Sequence, residues 1–186
     1  MPTYVAFLRA INLGPRNKYP MAELRAALAT AGFADVATYI QTGNVRLTTP
    51  MRSVARLTER LEQVVTADRG FPLSVAVLTR AELRDAAAEG ERRLAAALAD
   101  AGEERVHGQY VSFLRDAPEP AAVARLEALV DPDRARLVVR DRVVHLTLFE
   151  GYQQTSLDGA RMDKTLGVRS TSRNLTVVRR VSADWT

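Results

Sequence analysis

The sequence predicts an α+β protein made of two related subdomains, the first ferredoxin-like (βαββαβ) and the second a shortened repeat (βαββα) with a C-terminal helix. Three observations carry this reading. The apolar pattern of the first 79 residues alternates between period two and period 3.6 in the order strand, helix, strand, strand, helix, strand, which is the split βαβ order. Tyr110-Val111-Ser112-Phe113-Leu114-Arg115 repeats Tyr4-Val5-Ala6-Phe7-Leu8-Arg9 at an offset of 106 residues. A helix and two strands then follow the second copy as they follow the first. The boundaries expected are 1–79 for the first subdomain, 80–102 for a helical connector and 103–186 for the second subdomain with its C-terminal helix.

Tyr4 to Arg9 reads as a strand buried on both faces, around Val5, Phe7 and Leu8. Pro20 opens a helix where its missing N–H costs nothing, with Met21, Leu24, Leu28 and Ala31 on one side and Gly32 as the stop. Val36 to Gln41 is the next strand, and Gly43 and Asn44, both tolerant of positive φ, are expected to reverse the chain into Val45 to Thr49. Val54, Leu57, Leu61, Val64 and Val65 recur at helical spacing before Gly70, and Leu73 to Leu78 is a fourth strand. Thr79 and Glu82 form a capping box that starts the connector, expected to break near Gly90. In the second copy a helix carries Val123, Leu126, Leu129 and Val130, and strands cover Arg136 to Val139 and Val143 to Phe149. Thr171 or Ser172 is the expected N-cap of a last helix that packs Leu175, Val178, Val181 and Trp185 inward.

Composition narrows the chemistry. The chain has no cysteine, which removes thiol catalysis, disulfides and zinc–thiolate sites and fits a reducing, cytoplasmic setting. No run approaches the roughly 18 apolar residues of a membrane span. A net charge of +4 and a pI near 9.8 come from basic residues spread among nearly as many acids, so any nucleic-acid binding is expected to be weak, salt-sensitive and indifferent to sequence. The strand Val45-Arg46-Leu47-Thr48-Thr49 lacks the aromatics on which an RNA-recognition sheet stacks bases. Of 26 basic residues only Lys18 and Lys164 are lysine. Where Arg stands for Lys almost everywhere, a retained Lys marks either chance or a place where a compact ammonium fits and a planar guanidinium does not.

The two copies differ in their loops. The first connects Arg9 to Pro20 through AINLGPRNKY, whereas the second uses only DAPEP. In a split βαβ sheet the loop after strand one and the turn after strand two emerge at the same end, so Arg9, Asn12, Lys18, Gln41, Thr42 and Asn44 are expected to cluster. LGPRNK lacks the spacing of a Walker loop. His107 and His145 lie in predicted strands without a partner carboxylate at a recognisable spacing, and Asp158 and Asp163 beside Lys164 read as surface ion-pair residues.

Leu8-Arg9-Ala10-Ile11-Asn12-Leu13-Gly14, Asn17-Lys18, Pro20 to Arg25, Tyr39-Ile40-Gln41-Thr42-Gly43-Asn44-Val45 and Leu166 to Asn174 resemble the signature blocks of an uncharacterised bacterial family known as domain of unknown function 1697. The resemblance spans nearly the whole chain. It implies a two-subdomain α+β fold with a ferredoxin-like first half, and no activity. The family pattern differs at Ala10, at Gly14-Pro15-Arg16 and at Leu175, and Pro15 removes one backbone N–H that a phosphate cradle would use.

These readings converge on a binding module for a small anionic or nucleotide-like ligand in a polar cleft between the subdomains, held by Arg9, Asn12, Lys18, Gln41, Asn44, Lys164, Arg169, Arg173 and Asn174. An enzyme acting on a phosphate- or carboxylate-bearing substrate at the same residues stays open, as does an assembly protein that pairs through free strand edges. Neither a cofactor nor a metal is expected, and no catalytic residue is singled out.

Overall fold

Alternation along the first strand already divides its residues between two packing faces. In the computed structural model, which describes residues 1–14 and 17–186, β1 (Thr3–Leu8) turns Tyr4, Ala6 and Leu8 towards one core, with Val5 and Phe7 buried on the other face. α1 (Met21–Thr30), β2 (Ala34–Tyr39), β3 (Asn44–Thr48), α2 (Val54–Arg69) and β4 (Val75–Thr79) follow. The sheet order is β2-β3-β1-β4, antiparallel at every pairing. That combination of element order and strand order is the split βαβ unit. α1 and α2 bury Leu24, Leu28, Leu57, Leu61 and Val65 against Val45, Leu47, Val75 and Val77 of the sheet.

α3 (Arg80–Ala101) begins at the expected capping box: Glu82 accepts from the Thr79 N–H at 2.7 Å, and Thr79 Oγ1 accepts from the Glu82 N–H at 3.2 Å. The helix is continuous, without the break expected near Gly90. Gly90 reflects packing instead, since a Cβ there would lie 2.6 Å from Leu175 Cδ1 and 3.5 Å from Val111 Cγ2.

The second half repeats the first more completely than its sequence announces. β5 (Gly108–Leu114), α4 (Pro120–Glu127), β6 (Ala135–Arg140), β7 (Val143–Leu148) and α5 (Gly159–Leu166) are followed by β8 (Ser170–Asn174) and α6 (Leu175–Trp185). The order is β6-β7-β5-β8, the same as in the first sheet, so the half is not a shortened βαββα. The missed strand, Ser170-Thr171-Ser172-Arg173-Asn174, has no apolar residue to signal period two. Its pairing from Tyr110↔Asn174 to Leu114↔Ser170 supplies the order that its composition hides.

The chain divides into two compact units, Met1–Leu83 with Ala183–Thr186, and Arg84–Ser182. Each has its own core. The second collects Leu114, Leu126, Val144, Leu146, Leu148, Leu157, Met162 and Leu166 beneath α4 and α5. Among the described residues no helix is long and apolar enough to cross a membrane.

Candidate functional site

In the first unit Asn12 and the Gln41 backbone are joined, as are Thr42 and Asn44, and the framework is made by asparagine. β1 leaves the sheet with the Leu8 N–H on Gly43 O at 2.8 Å and the Arg9 N–H on Ser74 O at 2.9 Å. The loop beyond it bends through positive φ at Ala10, Asn12, Gly14 and Asn17. Asn12 holds the bend: its Nδ2 donates to Tyr19 O at 2.9 Å and to Gln41 O at 2.7 Å, while its Oδ1 accepts from the Tyr19 N–H at 2.8 Å. One side chain therefore ties the β1–α1 loop to the β2–β3 turn, and both its amide hydrogens are spent in doing so.

The turn itself differs from expectation. Ile40 (φ 46°) and Gly43 (φ 76°) take the left-handed conformations, and Asn44 is the first residue of β3. Asn44 is fully buried and braces the turn from inside, with Nδ2 donating to Tyr39 O and Thr42 Oγ1 at 3.0 Å each. Gly43 also permits a close approach, because a Cβ there would stand 2.7 Å from Leu8 Cβ and 2.8 Å from Ile11 Cδ1. On this frame Arg9 is half-buried, and Lys18 and the Gln41 side chain are exposed.

Tyr19, which the sequence did not single out, anchors the far end of the loop. It is fully buried with the Arg69 guanidinium 4.2 Å from its ring centroid. Burial and the neighbouring Asp68 push its phenol up to about 12, so it stays protonated. No spacing rule links Asn12 to Tyr19; only the fold shows that the two are bonded. The readings that involve Pro15 and Arg16 lie outside the described residues.

The remaining candidates belong to the second unit. Lys164 is exposed in the last turn of α5. Arg169 is exposed with its Nη1 3.6 Å from Asp163 Oδ2. Asp163 is not the surface ion-pair residue expected: it is buried, and its Oδ1 accepts from the Ser170 N–H at 2.8 Å and from Ser170 Oγ at 2.6 Å, fixing the start of β8 to α5. Asp158 instead caps α5, accepting from the Arg161 N–H at 2.8 Å.

Arg173 is buried in β8, where Nη1 donates to Thr171 Oγ1 and Ser172 O at 2.8 Å each. Burial lowers its guanidinium to about 10, which leaves it charged at neutral pH. Thr171 and Ser172 are strand residues rather than N-caps. The capping side chain of α6 is Asn174, whose Oδ1 accepts from the Val177 N–H at 2.9 Å. His145 is buried in β7 and its imidazole is pushed down to about 4 by that burial, so it is neutral and sequestered from solvent.

The nine candidates thus separate into five in the first unit and four in the second. Asn12, Asn44 and Asn174 spend side-chain groups on the backbone, whereas Lys18, Gln41, Lys164 and Arg169 present theirs to solvent.

Against known proteins, the sequence profile of the family described as protein of unknown function (DUF1697) matches residues 1–145. The structure of conserved bacterial protein SP0830 from Streptococcus pneumoniae is similar with a TM-score of 0.74 at 23% identity, over 99% of this chain and 98% of that one. At that identity the likeness is one of fold. No curated protein matches the chain.

Proposed function

The chain belongs to the DUF1697 family, and from that premise, which brings no activity with it, we propose that it is a binding module for a small anionic or nucleotide-like ligand. The ligand is met in the first unit by Arg9, Lys18 and the Gln41 amide. The observation that carries the reading is the three-way bonding of Asn12, which fixes the loop and the turn to each other before any ligand arrives. A site organised in advance loses less conformational freedom on binding. Asn12 and Asn44 serve in this reading as the frame, and the exposed cation and amide as the contacts. Lys164 and Arg169 are the corresponding exposed groups of the second unit.

Screening nucleotides, phosphosugars and carboxylates for a rise in melting temperature tests the proposal, because a ligand that binds only the folded chain stabilises it by mass action. A hit should lose affinity on Lys18→Ala and on Lys18→Arg, with the melting temperature of the unliganded protein nearly unchanged. Lys164→Arg tests the second unit in the same way. A ligand that binds the Lys18 variants as tightly as the parent overturns the assignment.

A further inference from the structure

The opposite end of the first sheet holds a polar pocket of about 280 Å³ that the reading above does not use. Thr3, Asp35, Arg46, Thr48, Arg80 and Asp184 line it, with the nearly buried Trp185 as an apolar wall. The pairing Thr3↔Thr48 marks this end, while Phe7↔Asn44 marks the end that carries the Asn12 loop.

Three features make the pocket more than a surface hollow. Arg46 is half-buried and Arg80 exposed, and among the described residues neither side chain has a hydrogen-bond or ion-pair partner. Asp184 and Thr186, which also line the pocket, have polar contacts with other groups. Thr3 Oγ1 and Thr48 Oγ1 lie 3.2 Å apart, and their bond consumes one hydroxyl hydrogen of the two, leaving the other to donate. Asp35, finally, is a non-glycine residue at φ 50°, within a bulge where Asp35 and Val36 oppose Leu47 alone between the pairs Ala34↔Thr48 and Ala37↔Arg46. Bulges of this kind re-aim side chains and gather at functional sites. The Asp35 carboxylate likewise has no partner among the described residues.

Two uncompensated guanidinium groups and one uncompensated carboxylate ask for a ligand of the inverse pattern. We propose that this pocket binds a small amino acid-like molecule with two oxyanion charges and one ammonium, the oxyanions held by Arg46, Arg80 and the free threonine hydroxyl, the ammonium by Asp35. The oxyanion chemistry is shared by carboxylate and phosphate, both of which match the guanidinium fork.

Calorimetric titration of the full chain with glutamate, glutarate and phosphoethanolamine tests it. Glutamate and glutarate carry the same two carboxylates, and only glutamate has the ammonium. Glutamate or phosphoethanolamine should bind saturably, the tighter of the two naming the oxyanion, and glutarate about tenfold more weakly than glutamate. Arg46→Gln should weaken binding at least about tenfold, and Arg80→Gln, at an exposed position that folding does not need, should do the same. Asp35→Asn should abolish the preference for glutamate over glutarate. Any binding that Lys18→Ala removes belongs to the Asn12 loop, whereas the component lost in Arg46→Gln should survive Lys18→Ala, which separates the two sites. The proposal is overturned by saturable binding of neither ammonium-bearing probe, by glutarate matching glutamate where glutamate binds, or by affinity that survives both arginine substitutions. Binding lost in Lys18→Ala but kept in Arg46→Gln also overturns it, while supporting the loop site.

Discussion

The two units share a strand order and a register, yet they fill equivalent positions with different chemistry. Val5 in the first sheet faces Arg46 on one side and Leu78 on the other; Val111, its counterpart, faces His145 and Arg173. Arg46 is half-buried on a pocket, whereas His145 and Arg173 are buried. The helix-covered faces match on β3 and β7, with Val45 and Leu47 against Val144 and Leu146, but Ser112 stands where the first unit has Ala6, and Ser170 and Ser172 of β8 stand where β4 has Val75 and Val77. The same strand order thus keeps the apolar side chains of β3 and β7 beneath its helices and varies the other face, the β4/β8 edge strand and the loops. The twelve-residue connection before α1 against five residues before α4 is the same lesson in the loops.

Sharpest of all should be the contrast between the two hairpin turns. Gly43→Ala puts an L side chain at φ 76° and drives its Cβ against Leu8 Cβ, which belongs to a strand and cannot swing away. Left-handed strain and overpacking together should cost about 3 kcal/mol. In the second unit the β6–β7 turn places Asp141 at φ 48°, a position that already tolerates a side chain, so Asp141→Ala should cost about 1 kcal/mol or less. Denaturation midpoints measured side by side decide it, and equal shifts would show that the Gly43 turn relaxes.

The next contrast lies within α5. Asp163→Ala leaves the Ser170 N–H and hydroxyl buried without their acceptor and should cost about 2 to 3 kcal/mol. Asp158→Ala, which removes an exposed cap from the same helix, should cost about 1 kcal/mol. A smaller loss at Asp163 than at Asp158 would refute the account of how β8 is held.

Both residues read from the sequence as surface ion-pair carboxylates, and the reason neither role was legible is physical. Asp158 precedes a helix as an N-cap does, but nothing in Ser-Leu-Asp-Gly-Ala-Arg-Met-Asp-Lys distinguishes a solvated carboxylate from one that accepts two bonds from a later strand. Elements with an apolar face, such as β1, α2 and β7, were legible because burial writes a period into the chain. β8 was not, since Ser170, Thr171 and Arg173 are buried polar residues whose partners come from elsewhere in the fold. The clustering of Asn12, Gln41 and Asn44 followed from topology, while their division into frame and exposed contacts needed the hydrogen bonds. The Arg46 pocket was invisible because it depends on a bulge at Asp35 and on the return of Asp184 and Trp185.

The last contrast separates Arg46 from His145 by pH. An imidazole ordinarily titrates near 6.5; in the folded chain burial holds His145 near 4, with Glu89 on α3 opposing and Arg93 and Arg92 on α3 and Arg140 on β6 reinforcing the shift. The folded form therefore refuses a proton that the unfolded chain accepts. Nothing is lost above the unfolded value. As pH falls below 6.5 stability declines, by about 2 kcal/mol between pH 7 and pH 5, and the His145 contribution levels off below 4. Burial raises the Glu89 carboxyl, but the hydrogen bond from Arg93 and the charges of Arg93 and Arg92 outweigh it, so its net pKa is lowered and its own loss of stability comes at more acid pH. His145→Gln should consequently flatten the melting-temperature profile between pH 7 and pH 5, while Arg46→Gln at the equivalent position of the first sheet should leave the profile parallel to the parent. If His145→Gln and the parent fall in parallel through that window, the imidazole is already paying no protonation penalty, and the two equivalent positions differ in exposure alone.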